Sequence, residues 1–491
     1  MSGERQTLRS RITGVQRVGG WDAMFLYSET PDLPAHTIKI AILDTSGGFG
    51  FDSVRAMAAD LLPELEAMRY CLQPVPLRLH HPMWLSLCEI DLDYHLRRLM
   101  VPAPGGRRQL DQVIARIAEG ALDRRRPLWE LYYCEGVAKH KVALVMKIHH
   151  AVADGVASAN LLARATDPAA ATRRSQDIVQ TSPFEPPSRS QLLGAACLDH
   201  VRQVRDFPTL LRDTTRGIAA IRRRARERGR HPELAAPMSA PATFMNHRVT
   251  PGRLFASTTL SLAQSKKTAK MFGVTLNDLV LAVTAGALRN MLIAHDGRAD
   301  CPLIASVPTN TDPSPDRISG NALGLMLVSL PVHIPDPCNR VRLVGTATTR
   351  AKDAYRRFGP ELPGRWHRYL PPLFAPALFR WIAKRQRAQK FYNVSISNVP
   401  GPREPRYFAG TEITGFYSVG PLSPGLGVNI TVWSYVDQLN VSVLADDSTF
   451  GDAYEVTREM RAALTELRTA VGLSDELELV TAAMGLADGT D

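Results

Sequence analysis

An α/β protein in two lobes is the fold the sequence predicts, and three observations predict it. Strand-like apolar runs alternate with amphipathic helical stretches on both sides of the chain's middle, as in layered α/β domains. At 491 residues the chain is too long for one ordinary hydrophobic core. Between the halves lies a polar stretch rich in Pro, Ser and Ala, followed by an arginine-rich segment. The division is therefore a first lobe over 1–165, a linker with a basic amphipathic helical segment over 166–252, a second lobe over 253–472, and an acidic tail over 473–491.

In the first half, Trp21 to Tyr27 opens the fold, and Thr37 to Leu43 alternates like a strand. Phe51 to Leu65 has helical spacing at Val54, Met57, Ala58, Leu61 and Leu62, and Leu110, Val113, Ile114 and Ile117 mark a second amphipathic helix. Leu131 to Cys134 is strand-like, and Lys141 to Met146 is an apolar run of strand length. That run leads straight into His149-His150-Ala151-Val152-Ala153-Asp154-Gly155. Val156 to Arg164 then reads as a helix opened by Asp154 and Gly155.

In the middle, Thr166 to Ser190 reads as an exposed linker. Apolar residues from Leu193 to Ile221 then recur at helical spacing, with an interruption expected at Pro208. Arginines from Arg202 to Arg228 fill the other faces. The segment is either a helix lying on an anionic lipid surface or a solvated helix bridging two domains.

In the second half, Phe255 to Leu262 reads as a strand and Ala263 to Phe272 as a helix. Thr275 caps a long helix reaching Leu292, with Asn277 and Asp278 in a first turn whose dipole suits a carboxylate. Leu303 to Pro308 and Gly324 to Val332 are strand-like, and Cys338 to Arg357 is helical. Trp366 to Ile382 sets aromatics beside a basic cluster that runs on to Arg385, Arg387 and Lys390. It is an interfacial docking segment, a wall of a chain tunnel, or plain core. Val394 to Val399 is a strand ending in the tight turn Pro400-Gly401-Pro402. Strands over Val428 to Tyr435 and Leu439 to Leu444 and a helix from Asp452 to Val471 complete the second lobe.

A net charge of +11 favours anionic partners: phosphates and acidic lipid surfaces ahead of nucleic acid, for which basic and aromatic residues are not interleaved. The six cysteines are widely spaced without a CxxC pair, so reduced, buried thiols are expected. Met1 to Gln6 lacks the apolar core of a signal peptide, and the run Leu279 to Leu288 is too short to span a bilayer. The expectation is a cytoplasmic protein whose membrane contact is peripheral.

Side chains alternate along a strand, so His150 shares a face with Val142, Leu144, Met146 and Ile148, while His149 lies on the opposite face. The two imidazoles cannot do the same job. Pointing apart, they also make a poor zinc site with Asp154, and no metal is expected.

The pattern HHxxxDG after a strand resembles the active-site signature of the chloramphenicol-acetyltransferase-like superfamily. Pro127-Leu128-Trp129 upstream, Asn277-Asp278, the pair Gly320-Asn321 and Ser397-Asn398-Val399-Pro400-Gly401-Pro402 are similar, in order, to motifs of the bacterial wax ester synthase/diacylglycerol acyltransferase family. The resemblance implies two chloramphenicol-acetyltransferase-like lobes, each a mixed sheet with helices, around a substrate tunnel. It implies acyl transfer from long-chain acyl-CoA, as co-substrate and not cofactor, to diacylglycerol. Wax ester synthesis from a fatty alcohol and a catalytically silent lipid-binding relative are the alternatives. By the same resemblance His150 is the general base, His149 supports it and Asp154 holds the turn. Pro127, Trp129, Asn277, Asp278 and Asn398 are candidates for the substrate channel. Contact with a membrane or lipid-droplet surface is implied as well.

Overall fold

The computed structural model describes residues 15–86, 88–138, 140–168, 186–384 and 391–477. The first residues, most of the linker, the cluster Arg385 to Lys390 and most of the acidic tail lie outside the described residues.

Two six-stranded mixed sheets carry the molecule. The first-lobe elements are β1 (Val15–Arg17), α1 (Gly20–Ser28), β2 (His36–Asp44), α2 (Phe51–Leu61), β3 (Cys71–Gln73), β4 (Met83–Leu85), α3 (Leu92–His95), β5 (Leu96–Met100), α4 (Arg107–Glu119), β6 (Trp129–Val137), β7 (Lys141–His149) and α5 (Gly155–Ala165). A long helix, α6 (Arg189–Arg228), leads on to β8 (Arg253–Ser261), α7 (Leu262–Met271), α8 (Leu276–Asp296), β9 (Leu303–Asn310), β10 (Leu323–Leu330), α9 (Pro337–Phe358), α10 (Leu362–His367) and α11 (Ala375–Lys384). The chain closes with β11 (Val394–Val399), β12 (Tyr407–Phe408), β13 (Thr411–Val419), β14 (Val428–Tyr435), β15 (Gln438–Asp446) and α12 (Tyr454–Ala470).

The first sheet has the order β12-β13-β2-β7-β6-β5 and the second β10-β9-β11-β14-β15-β8. The division at residue 253 therefore needs correction. Residues 407–419 leave the second lobe and add two strands to the first sheet, with Ile38 to Leu43 of β2 pairing antiparallel with Ile413 to Val419. Alternation makes 411–419 a strand but does not name its partner, which is why the exchange is not legible locally.

Helix α6 runs unbroken for 40 residues through Pro208, against the expected interruption. Proline removes one backbone bond and crowds the preceding turn, at a cost of about 3 kcal/mol. Packing at both ends of the helix offsets that. Arg17 of the first lobe pairs with Asp199 at 2.9 Å, and Arg224 pairs with Asp353 of α9 at 3.1 Å. A Cβ on Gly217 would come within 2.5 Å of the Phe358 carbonyl, so glycine is what lets α6 approach the end of α9. The bridging alternative is the one this geometry fits, although Leu198, Val201, Val204, Phe207 and Leu211 on α6 remain exposed.

Helix α8 is long and apolar enough to cross a membrane by length and composition, yet it is mostly buried as the central helix of the second-lobe core. The cysteine expectation is corrected too. The pairing of β3 with β4 folds the chain back so that Cys71 and Cys88 join in a disulfide, while Cys197 and Cys301 are exposed.

Candidate active site

Strand β7 ends at His149, and the backbone on either side fixes where the two imidazoles go. The His149 N–H donates to the Leu128 carbonyl at 2.9 Å, and the His150 N–H donates to the Ala35 carbonyl at 2.8 Å. The chain is thus pinned between β6 and the residues before β2 as the rings diverge.

His149 is fully buried. Its Nδ1 accepts from the Ala151 N–H at 3.0 Å, so the ring proton sits on Nε2, 3.7 Å from Glu29 Oε1. Glu29 also receives Arg124 at 2.6 Å and the Ala35 N–H at 3.1 Å. Burial alone would raise this carboxyl, but His149 and Arg124 pull it well below the usual range.

His150 lies in a different setting. Its ring stacks on Phe25 of α1, centroids 4.0 Å apart and planes 15° apart. Its Nδ1 is 3.0 Å from Asn321 Oδ1. The Asn321 amide nitrogen donates to Asp22 Oδ1 and to the His150 carbonyl, both at 2.7 Å. With both amide hydrogens so engaged, Oδ1 must face the ring, His150 carries its proton on Nδ1, and Nε2 presents a lone pair. Burial lowers His150 to about 4, with Lys39 and His149 acting in the same direction and Asp154 opposing. The imidazole is neutral at neutral pH, the state a base requires. Burial raises Asp22 to about 6 against its bonds to Asn321 and Gly19.

Asp154 is a clamp. One oxygen caps α5 by accepting from the Ala157 N–H at 2.9 Å, and the other accepts from the Ala322 N–H at 3.0 Å. Arg317 reaches the same carboxylate at 3.0 Å and the Gly320 carbonyl at 2.9 Å. Because Gly320 and Ala322 flank Asn321, the pair Asp154–Arg317 holds the loop that orients His150.

The other candidate residues fall at different places. Trp129 donates to the Met68 carbonyl at 2.7 Å, stacks on His95, and lines an apolar cavity of about 140 Å³ under α2 and α5. Pro127 is buried and accepts from the Trp129 N–H at 2.9 Å; it does not line that cavity. Asn277 and Asn398 meet each other at 3.4 Å, joining the first turn of α8 to β11. A Cβ on Gly155 would come within 3.2 Å of Val399, so this segment closes against the start of α5. Gly401 has no room for a Cβ beside the Ser434 carbonyl and Trp433, where the chain begins its crossing to the first sheet. Asp278 is a cap: one oxygen accepts from Thr275 Oγ1 at 2.7 Å and the other from Thr348 Oγ1 at 2.8 Å. No contact among the described residues ties it to the histidines.

Asp22, Phe25, Glu29, Arg124 and Arg317 carry no sequence signal of their own. Asn321 had one, the Gly320-Asn321 pair, but nothing local says that it faces His150. Among the described residues no group of three or more His, Cys, Asp or Glu is placed to hold a metal ion.

A chain with this geometry matches the family profile "Wax ester synthase/diacylglycerol acyltransferase catalytic domain" over residues 18–280 and "WS/DGAT C-terminal domain" over 319–468. A Mycobacterium tuberculosis (H37Rv) protein, named provisionally as a diacylglycerol O-acyltransferase, is 48% identical over 476 residues, covering 96% of this chain and all of that one. A second from the same organism, named likewise, is 35% identical over 465 residues, covering 92% and 90%. Among solved structures, the wax ester synthase/diacylglycerol acyltransferase from Marinobacter aquaeolei VT8 is similar with a TM-score of 0.66 and 25% identity, over 93% of this chain and all of that one. The starter condensation domain of rhizomide synthetase RzmA, solved with C8-CoA, is similar in fold with a TM-score of 0.55 at 13% identity, over 97% and 100%.

Proposed function

This chain belongs to the wax ester synthase/diacylglycerol acyltransferase family of acyltransferase enzymes, and from that premise we propose that it acylates diacylglycerol with long-chain acyl-CoA. His150 Nε2 takes the proton of the acceptor hydroxyl as its oxygen attacks the thioester carbonyl. The tetrahedral intermediate collapses with cleavage of the C–S bond, and the proton passes from the imidazolium to the departing CoA thiolate. Triacylglycerol and CoA leave. The thioester is already activated, so neither a protein nucleophile nor a cofactor is required. The observation that carries the reading is the Asn321–His150 bond, which leaves Nε2 unprotonated on a ring that burial keeps neutral.

The apolar cavity beneath Trp129 supports a long-chain donor. It lies on the His150 face of the sheet, bounded by Leu144, Met146 and Ile148 of β7 and by Leu161 and Leu162 of α5. A cavity of about 150 Å³ holds a benzene ring, so this one has room for about five or six carbons of a chain. A lipid acceptor needs a route from a surface. Helix α11 packs on α1, which bears Phe25, and exposes Leu378, Trp381 and Ile382 beside Arg380 and Lys384, with Phe374 just ahead of it. Apolar anchors ringed by cations suit an anionic membrane or droplet surface on the cytoplasmic side.

The test supplies purified enzyme with labelled palmitoyl-CoA and either diacylglycerol or hexadecanol. Labelled triacylglycerol is expected; wax ester alone moves the acceptor to fatty alcohols, and neither product leaves a lipid-binding relative. Serine at Phe374, Leu378 and Trp381 should abolish flotation with anionic vesicles while the folded variant keeps turning over detergent-dispersed substrate.

A further inference from the structure

Two lysines on opposite faces of the first sheet, the buried Lys147 and the half-buried Lys39, are treated unequally. Lys147, on the His149 face, has its ammonium 3.5 Å from the buried carboxylate of Glu130. Lys39, on the His150 face, has no carboxylate within ion-pair distance among the described residues. Its Nζ donates to Ser418 Oγ at 2.7 Å and lies 5.5 Å from the centre of the Trp433 ring. An ammonium has three donors, and only one is spent here. Asp154, whose charge acts on it, is already committed to Arg317 and the α5 cap. Burial pulls Lys39 down to about 8, which leaves it cationic at neutral pH.

The same side chain lines the apolar cavity, whose other polar lining residue is Ser158. Nζ is held by Ser418 and Trp433, which do not line the cavity, so the half-buried ammonium stands at the edge of the hydrocarbon lining, where an anion carried on an apolar chain would meet it. The walls restrict which anion. A nucleotide phosphate brings no chain to fill the space between Met57 and Leu162, and a phospholipid brings two chains behind a bulky head. A single carboxylate on an alkyl tail satisfies both ends.

We propose that this cavity binds a free long-chain fatty acid, with its carboxylate on Lys39 Nζ and its chain between β7, α2 and α5. The inference rests on the acyl-chain reading of the cavity but not on turnover. A fatty acid seated there occupies space the donor chain needs, so free acid acts as an inhibitor competitive with acyl-CoA.

The experiment titrates palmitate and 1-hexadecanol into the full chain by calorimetry at pH 7. The two ligands share a chain length and differ in head charge. Wild type is expected to bind palmitate at least roughly tenfold more tightly, the scale of one hydrogen bond to a charged group. Lys39→Met should erase that preference, and Lys39→Arg should keep most of it. Equal binding of the two ligands by wild type overturns the proposal without any variant, and so does a preference that survives Lys39→Met. If palmitate is preferred but no acyl transfer occurs, the proposed reaction falls and the fatty-acid site stands. Acyl transfer with no Lys39-dependent preference gives the reverse.

Discussion

The two faces of the first sheet handle buried charge in opposite ways. On the His149 face the carboxylates are paired with cations, Glu130 with Lys147 and Glu29 with Arg124, and the His149 imidazole lies 3.7 Å from Glu29. On the other face, His150 touches a neutral amide and a phenyl ring, and Lys39 touches a hydroxyl and an indole. The first arrangement pairs its carboxylates, while His149 Nε2, at that distance from Glu29, makes no hydrogen bond among the described residues. The second leaves a lone pair on Nε2 and two donors on Nζ without a protein partner among the described residues. That difference distinguishes the two histidines more sharply than burial does, and it is the ground on which the proposed chemistry is assigned to His150.

Breaking the unfilled face should have the largest effect. His150→Ala is expected to lower acyl transfer by roughly 10²–10⁴-fold, the range for a general base, in a variant that still folds. Initial rates near those of wild type would remove His150 from the chemistry. Next comes the clamp. Arg317→Ala leaves the buried Asp154 carboxylate unpaired and should cost about 3–5 kcal/mol in urea unfolding. A loss below about 1 kcal/mol, the scale of an exposed pair, would show that solvent reaches Asp154.

Asn321→Ala removes the acceptor that holds the proton on Nδ1. By analogy with outer-shell partners of functional histidines, kcat should fall about 10–100-fold with little change in KM. A purely structural Asn321 would instead lower stability at constant kcat. On the His149 face, Glu29→Gln should cost about 1–3 kcal/mol at pH 7. Because Glu29 is held below its unfolded value, its contribution is present above pH ~4.3 and fades as pH falls through the lower folded value. The stability gap between variant and wild type should therefore close in acid. The smallest effect is one of position. With His150 lowered to about 4, the base stays deprotonated down to that pH. The acid limb of kcat/KM should then fall near 4, whereas a limb near 6.5, the ordinary histidine value, would place the ring in water.

What could be read before folding was whatever local rules control. Asp154 and Gly155 after an apolar run spell a strand-to-helix turn, and Thr275 ahead of an apolar run spells a helix cap; both form. The opposite facing of His149 and His150 follows from the period of a strand. Local rules also mislead. Pro208 suggests a break, yet contacts at both ends of α6 carry the helix through it.

The sequence by itself determined the element types, the two-lobe α/β class and the place of the imidazole pair, because propensity, capping and alternation act over a few residues. Only the tertiary structure decided which histidine is left with a free lone pair. Asp22, Phe25 and Asn321 come from α1 and from the loop before β10, far apart in the chain, and they meet at His150 only when the lobes close. The tautomer depends on that meeting, because a ring proton goes where the nearest acceptor is. The return of β13 to the first sheet is of the same kind, since edge pairing depends on which strand arrives and not on the pattern either strand carries.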